Sequence, residues 1–235
     1  MMKKNINQKM IPLIEYYKLI NLGLIFNKSP IIRFKKEANI DSILGKNNKL
    51  ELLKKNIHEI ENCDLKKTAN KFVFSDGNIN SKILLIGEGP GAQEDRIGLP
   101  FVGPAGKLLD KMLKAINLDR KKVYITNVVN YRPPNNRKPT EEEIKRYLPF
   151  LKLHIEIINP KIVILLGGTA LHAICDKEKI ISTARGKWFK KKIGICDPEI
   201  IVTFHPAFLI RQPDQKKYAW SDLKLIREKI EFLEL

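Results

Sequence analysis

The sequence predicts an α/β fold: a three-layer α/β/α sandwich on a central, mainly parallel sheet of about four strands, preceded by an N-terminal helical arm. Three observations point there. From residue 82 onward, short apolar runs of strand length alternate with stretches of helical periodicity, the order that builds a parallel sheet covered on both faces. The chain has 235 residues, 43% of them hydrophobic, enough for one well-buried domain with a small appendage. Every unusual loop in this scheme follows a strand, and open parallel sheets bind ligands beyond the carboxyl ends of their strands.

Residues 1–80 are read as the arm and its linker, and residues 81–235 as the main domain. In the arm, 11–24 is amphipathic and reads as a helix, and 30–48 is polar, basic and linker-like. The stretch 49–61 places Leu50, Leu52, Leu53, Ile57 and Ile60 at helical spacing, a second helix that packs on the domain. The first strand, 83–86, stops at a Gly-Pro cluster. Helix 105–116 follows, then a β-rich run at 123–129 that ends at Arg132-Pro133-Pro134. Thr140, with Glu143 three residues on, is a capping box and opens a long helix to about residue 158. Ile162–Leu166 is a strand of the fully buried type, followed by Gly167-Gly168 and a short helix. The last strand, 200–204, ends at His205-Pro206, and 215–233 is the closing helix. The loops after the four strands read GEGPGAQED, NVVNYRPPNNR, GGTA and HPAFLIRQ, so glycine-rich and polar segments converge on one edge of the sheet.

Lys and Arg number 43 against 26 Asp and Glu, a net charge of +17. A field of that sign attracts polyanions, nucleic acid or an anionic membrane surface. An AT-rich codon bias, which also enriches Lys, Ile and Asn, is the other reading of the same composition. Cys63, Cys175 and Cys196 lie far apart with no CxxC pair. That argues against a disulfide framework and a standard zinc site, and fits a reducing cytoplasm. The N-terminal stretch is basic, but Glu15, Lys18 and Asn21 interrupt its apolar residues and no small-residue cleavage site follows, so no signal peptide is read. No apolar run reaches bilayer-spanning length. A soluble, cytoplasmic monomer without a membrane partner is expected.

The run Gly87-Glu88-Gly89-Pro90-Gly91 sets three glycines around a proline, a tight turn whose backbone can approach a ligand closely. No Gly-Lys-Ser/Thr follows, which argues against a phosphate-cradling Walker loop. Glu88 would repel phosphate; it suits activation of water or stabilisation of a developing cation. The turn continues as GEGPGAQEDRIGLPFVGPAGKLL, with the acidic pair Glu94-Asp95 and the run Pro100-Phe101-Val102-Gly103. With TNVVNYRPPNNR at 126–137 and FHPAFLIRQ at 204–212, it resembles the family 4 uracil-DNA glycosylases from about residue 80 to 230. The segment CDLKKTANKFVFSDG at 63–77 is similar to a bacterial branch of that family.

The resemblance implies hydrolysis of the N-glycosidic bond of deoxyuridine in DNA after base flipping, the opening step of base excision repair, and uracil-containing DNA as partner. Gly87 and Gly89 then belong to the substrate-binding turn. Phe101 stacks on the base, an interaction of ~1–3 kcal/mol. The Asn127 amide accepts from the uracil imide N–H and donates to the 4-keto oxygen, and cytosine mismatches it at both positions. His205 lies by the 2-keto oxygen, where a neutral imidazole N–H stabilises the departing anion. Glu88 handles the water and the oxocarbenium-like sugar. Glu94 is the rival for that role or a wall against the thymine methyl, and Asn136 resembles a further position near the site. Arg132 and Arg137 read as phosphate contacts. Leu209, Ile210 and Arg211 read as a DNA-contacting loop that fills the hole left by the flipped base.

Family 4 members usually hold an iron–sulfur cluster on four cysteines. Here Ile60, Tyr131 and Tyr147 stand at three of those positions, and only Cys63 matches. Cys175 and Cys196 fall elsewhere, so no metal or cluster is expected. Two other readings stay open from the sequence: a non-catalytic DNA-binding module on the same fold, and a nucleotide-binding regulator of similar architecture.

Overall fold

A computed structural model describes residues 45–175 and 179–235. The helix expected at 11–24, nearly all of the linker 30–48 and the reading of the N-terminus lie outside these residues. The compact unit that holds the sheet runs from Leu44 to Leu235.

Helices α1 (Lys46–His58) and α2 (Asp64–Thr68) come first. A short strand β1 (Ser75–Gly77) leads into β2 (Ile83–Gly87), and α3 (Ala92–Ile97) and α4 (Pro104–Lys114) connect β2 to β3 (Tyr124–Asn127). Helix α5 (Glu141–Ile158) begins at Thr140, whose side chain accepts from the Glu143 N–H while the Glu143 carboxylate accepts from the Thr140 N–H, the capping box expected from the sequence. Then come β4 (Ile162–Leu166), α6 (Gly168–Ile174), α7 (Ile181–Ala184), β5 (Trp188–Lys190) and β6 (Glu199–Thr203). Helices α8 (Pro206–Arg211) and α9 (Lys216–Phe232) close the chain.

The four strands expected from the sequence are β2, β3, β4 and β6. They pair in parallel in the order β3-β2-β4-β6, and β1 and β5 add antiparallel edges, for six strands in all. Neither edge strand was expected: each has only three residues, too few for an alternating pattern to show. Side chains alternate between two cores, as a period of two requires. Leu84, Ile86, Val163 and Leu165 face one core with α1, α5 and α6; Ile83, Leu85, Ile162 and Ile164 face the other with α4 and α9. Leu50, Leu53, Ile57, Cys63 and Leu65 are buried in the first core. The described part of the N-terminal region therefore shares the sheet's core.

The chain leaves β2 toward β3 on one side and leaves β4 toward β6 on the other. Their carboxyl ends therefore flank a topological switch point, where open sheets bind ligands. No helix among the described residues is long and apolar enough to cross a membrane.

Candidate active site

A cavity of about 870 Å³ opens at that switch point, and its lining includes Glu88, Phe101, Asn127, Thr169, His205 and Phe208. Parallel register sets Gly87, the last residue of β2, beside Asn127, the last of β3. A Cβ at Gly87 would collide with Asn127 Oδ1 and come within 2.6 Å of the Phe101 ring. Glycine at 87 is thus what lets both side chains close on the strand end. Gly89 also lines the cavity. Asn127 is only 4% exposed, yet its Oδ1 has no hydrogen-bond partner. Buried polar atoms are nearly always paired, so such an acceptor in a cavity wall points to a donor on a ligand.

Phe101 reaches the cavity from a strained turn, with φ +54°. A non-glycine residue in this region costs of order 1–3 kcal/mol and is held by its surroundings. Glu94 is part of that hold. Its Oε1 accepts from the N–H of Val102 at 2.9 Å and of Gly103 at 2.8 Å, so the carboxylate braces the Phe101 turn while it lines the cavity. The Phe101 ring stacks on His205, centroids 5.5 Å apart and planes 30° apart.

His205 is the N-cap of α8, with Pro206 at the first helical position, where its missing N–H costs nothing. Its Nδ1 accepts from the Ala207 N–H at 3.1 Å. Nδ1 therefore carries no proton, and in the neutral ring the proton sits on Nε2. Burial, and then the Arg211 charge, push its pKa down to about 4. The geometry and the shift agree on a neutral Nε2–H donor at neutral pH, which the sequence could not give.

Glu88 accepts a short hydrogen bond from the Thr169 hydroxyl. Thr169 lies just past Gly167-Gly168, so this bond spans the switch point between β2 and β4. Thr169 was missed in the sequence, although it belongs to the GGTA loop; its signal was the strand order, which puts that loop next to GEGPG.

The Pro-rich loop contributes Asn136 and Arg137 to the cavity lining. Asn135 and Asn136 both adopt positive φ, +54° and +55°, a conformation asparagine tolerates better than most residues. Asn136 Oδ1 accepts from Arg132 Nε at 2.8 Å, and Arg132 also lies 3.8 Å from Asp95. Arg137 donates through Nη1 and Nη2 to the Glu143 carboxylate, at 2.8 and 2.6 Å.

The segment HPAFLIRQ, read as a loop, is largely the helix α8. Helical spacing turns Leu209 inward to 1% exposure, in the core that also holds Leu109, Met112 and Leu113 of α4. Leu209 does not line the cavity. Ile210, one residue on, is 44% exposed, and Phe208 and Arg211 line the cavity.

Away from the site, the Cys63 Sγ lies 3.3 Å from the Tyr147 hydroxyl. The Tyr131 hydroxyl lies 2.9 Å from His58 Nδ1, and the Phe72 ring packs on Tyr131 with centroids 5.2 Å apart. Burial, and then Cys63, raise the pKa of both phenols, Tyr131 to about 12 and Tyr147 further. Cys196 is turned elsewhere, toward Asn159 Oδ1 at 3.4 Å.

The fold and the cavity define a ligand-binding class of α/β protein, with its pocket at the carboxyl ends of a parallel sheet, and the chain belongs to the uracil DNA glycosylase superfamily, whose family model matches residues 74–224. Within it the type-4 group is shown by three relatives described as type-4 uracil-DNA glycosylases. The one from Thermotoga maritima is 41% identical over 166 residues, 69% of this chain and 83% of the relative. That from Archaeoglobus fulgidus is 38% identical over 183 residues, 76% of this chain and 92% of the relative. That from Sulfurisphaera tokodaii is 41% identical over 186 residues, 76% of this chain and 84% of the relative.

Proposed function

We propose that the chain is a uracil-DNA glycosylase that flips deoxyuridine out of DNA and hydrolyses its N-glycosidic bond. The observation that carries this reading is the buried, unpartnered Oδ1 of Asn127 in the wall of a cavity that also holds Phe101 and His205. Uracil presents an imide N–H to that oxygen and a 4-keto oxygen to the amide nitrogen. Cytosine presents a ring lone pair and an amino group at the same places. Leaving a buried polar group unpaired costs ~1–3 kcal/mol, so the amide discriminates between the two. Phe101 stacks on the flat base. The Nε2–H of His205 meets the 2-keto oxygen as negative charge develops there, which favours the transition state over the ground state. Glu88, fixed by Thr169, stabilises the cationic sugar and directs the water. The bonds from Glu94 to main-chain N–H groups favour a bracing role for it and leave the water to Glu88. Base flipping accounts for the exposed Ile210 and for Phe208 in the cavity lining, with Arg211 of the same lining for phosphate; Arg132 and Arg137, each beside a carboxylate, are read as further phosphate contacts.

The residues around Cys63 do not fit an iron–sulfur cluster. They offer one thiol, an imidazole and two phenols kept neutral by burial, where such a cluster takes four strong ligands. We infer that this chain works without one.

A duplex carrying a single deoxyuridine tests the function. The enzyme is expected to leave an alkali-labile site at that position; binding without cleavage would point instead to a non-catalytic module.

A further inference from the structure

Glu94 holds only one side of the Phe101 turn. On the other side stands Arg120, from the turn ahead of β3, which does not itself line the cavity. Its Nη1 donates to the carbonyl of Pro100 at 3.1 Å, and its Nη2 donates to the carbonyl of Phe101. The guanidinium is itself fixed by two carboxylates, Asp76 on β1 at 2.6 Å and Asp110 on α4 at 2.8 Å. Between them, α4 comes so close that a Cβ at Gly106 would collide with the Phe101 carbonyl. The carbonyls flanking residue 101 thus point at Arg120 and the next two N–H groups point at Glu94. Residue 101, at positive φ, is thus held by hydrogen bonds on both sides.

We propose that Arg120 is the positioning residue for base stacking: it imposes the backbone conformation that aims the Phe101 ring into the cavity. A planar guanidinium reaches two adjacent carbonyls and two carboxylates at once, which an ammonium does not. The inference rests on Phe101 being the ring that stacks on uracil. It differs from a plain structural role for Arg120, in which the Asp76 and Asp110 bonds merely tie β1 to α4.

The test uses Arg120→Lys and Arg120→Met in the full chain, with free uracil as the probe of the cavity and single-turnover excision as the second readout. Both variants are expected to weaken uracil binding and slow excision by roughly tenfold, with affinity for abasic-site DNA unchanged. In a Phe101→Ala background, Arg120→Met is expected to change either readout by less than about twofold, because the ring it aims is gone. Gly106→Ala strikes the same turn from α4 and is expected to give the same loss of uracil binding, which keeps the test open if Arg120→Met does not fold. Wild-type uracil binding in folded Arg120→Lys and Gly106→Ala overturns the proposal. So do losses that multiply with those of Phe101→Ala. Wild-type uracil binding by Phe101→Ala alone would overturn the stacking reading, and this one with it.

Discussion

In the proposed reaction two side chains that line one cavity, Glu88 and His205, divide the chemistry. His205 Nδ1 is occupied by the Ala207 N–H, so the ring can offer only its Nε2 proton to the leaving base. Glu88 is oriented by Thr169. Both act where charge develops, so Glu88→Gln and His205→Ala are expected to slow single-turnover excision by at least about 100-fold with DNA affinity nearly intact. The His205 pKa, down at about 4, sets the pH dependence. The neutral donor is present above that value, so excision should hold level from about pH 8 to about pH 6 and fall only as the ring takes a proton in acid. A rate lost as pH rises through about 6.5, in a manner abolished by His205→Ala, would show that the charged ring is the active form. At this scale the sequence revealed residue types and strand ends but not their partners. The tautomer of His205 depends on a cap two residues away. The acceptors of Arg120 are main-chain carbonyls some twenty residues back, without any sequence signature.

Helices and strands were more legible where they are long. The capping box fixed the start of α5, and the four apolar runs became the four parallel strands. The failures share a cause: elements too short to show a period. The edge strands β1 and β5 have three residues each. The six residues of α8 were read as a loop, which placed Leu209 at the DNA when the helix turns it into the core. Around Cys63, the N-cap of α2, the packing sets two hydrogen-bonded pairs, Cys63 with Tyr147 of α5 and Tyr131 with His58 of α1, and these offer one thiol rather than four. Purified protein is therefore expected to be colourless, without stoichiometric iron or acid-labile sulfide. Cys63→Ser should cost roughly 1 kcal/mol of stability and spare excision. About four irons per chain, lost on Cys63→Ser, would contradict this.

On the proposed reading the molecule as a whole couples a net charge of +17 to a cavity that selects by neutral hydrogen bonding and shape. Such a charge would draw DNA of any sequence, because phosphate contacts carry no base information. Discrimination would then fall to the cavity beside the switch point, where β2 and β3 bring Gly87 and Asn127 side by side and leave one amide oxygen without a partner. The fold class was readable because periodicity and loop placement agreed along the chain. The unpaired oxygen was not, since it exists only once the strands are in register. The most direct measurement is single-turnover excision from duplexes carrying uracil or cytosine, by the wild-type chain and by Asn127→Asp. The wild type is expected to excise uracil and spare cytosine. The variant should lose uracil excision by roughly 100-fold and gain activity on cytosine, since a protonated carboxyl donates to the cytosine ring nitrogen and accepts from its amino group. Uracil excision unchanged in Asn127→Asp, with cytosine still untouched, would contradict the assignment of base recognition to this amide.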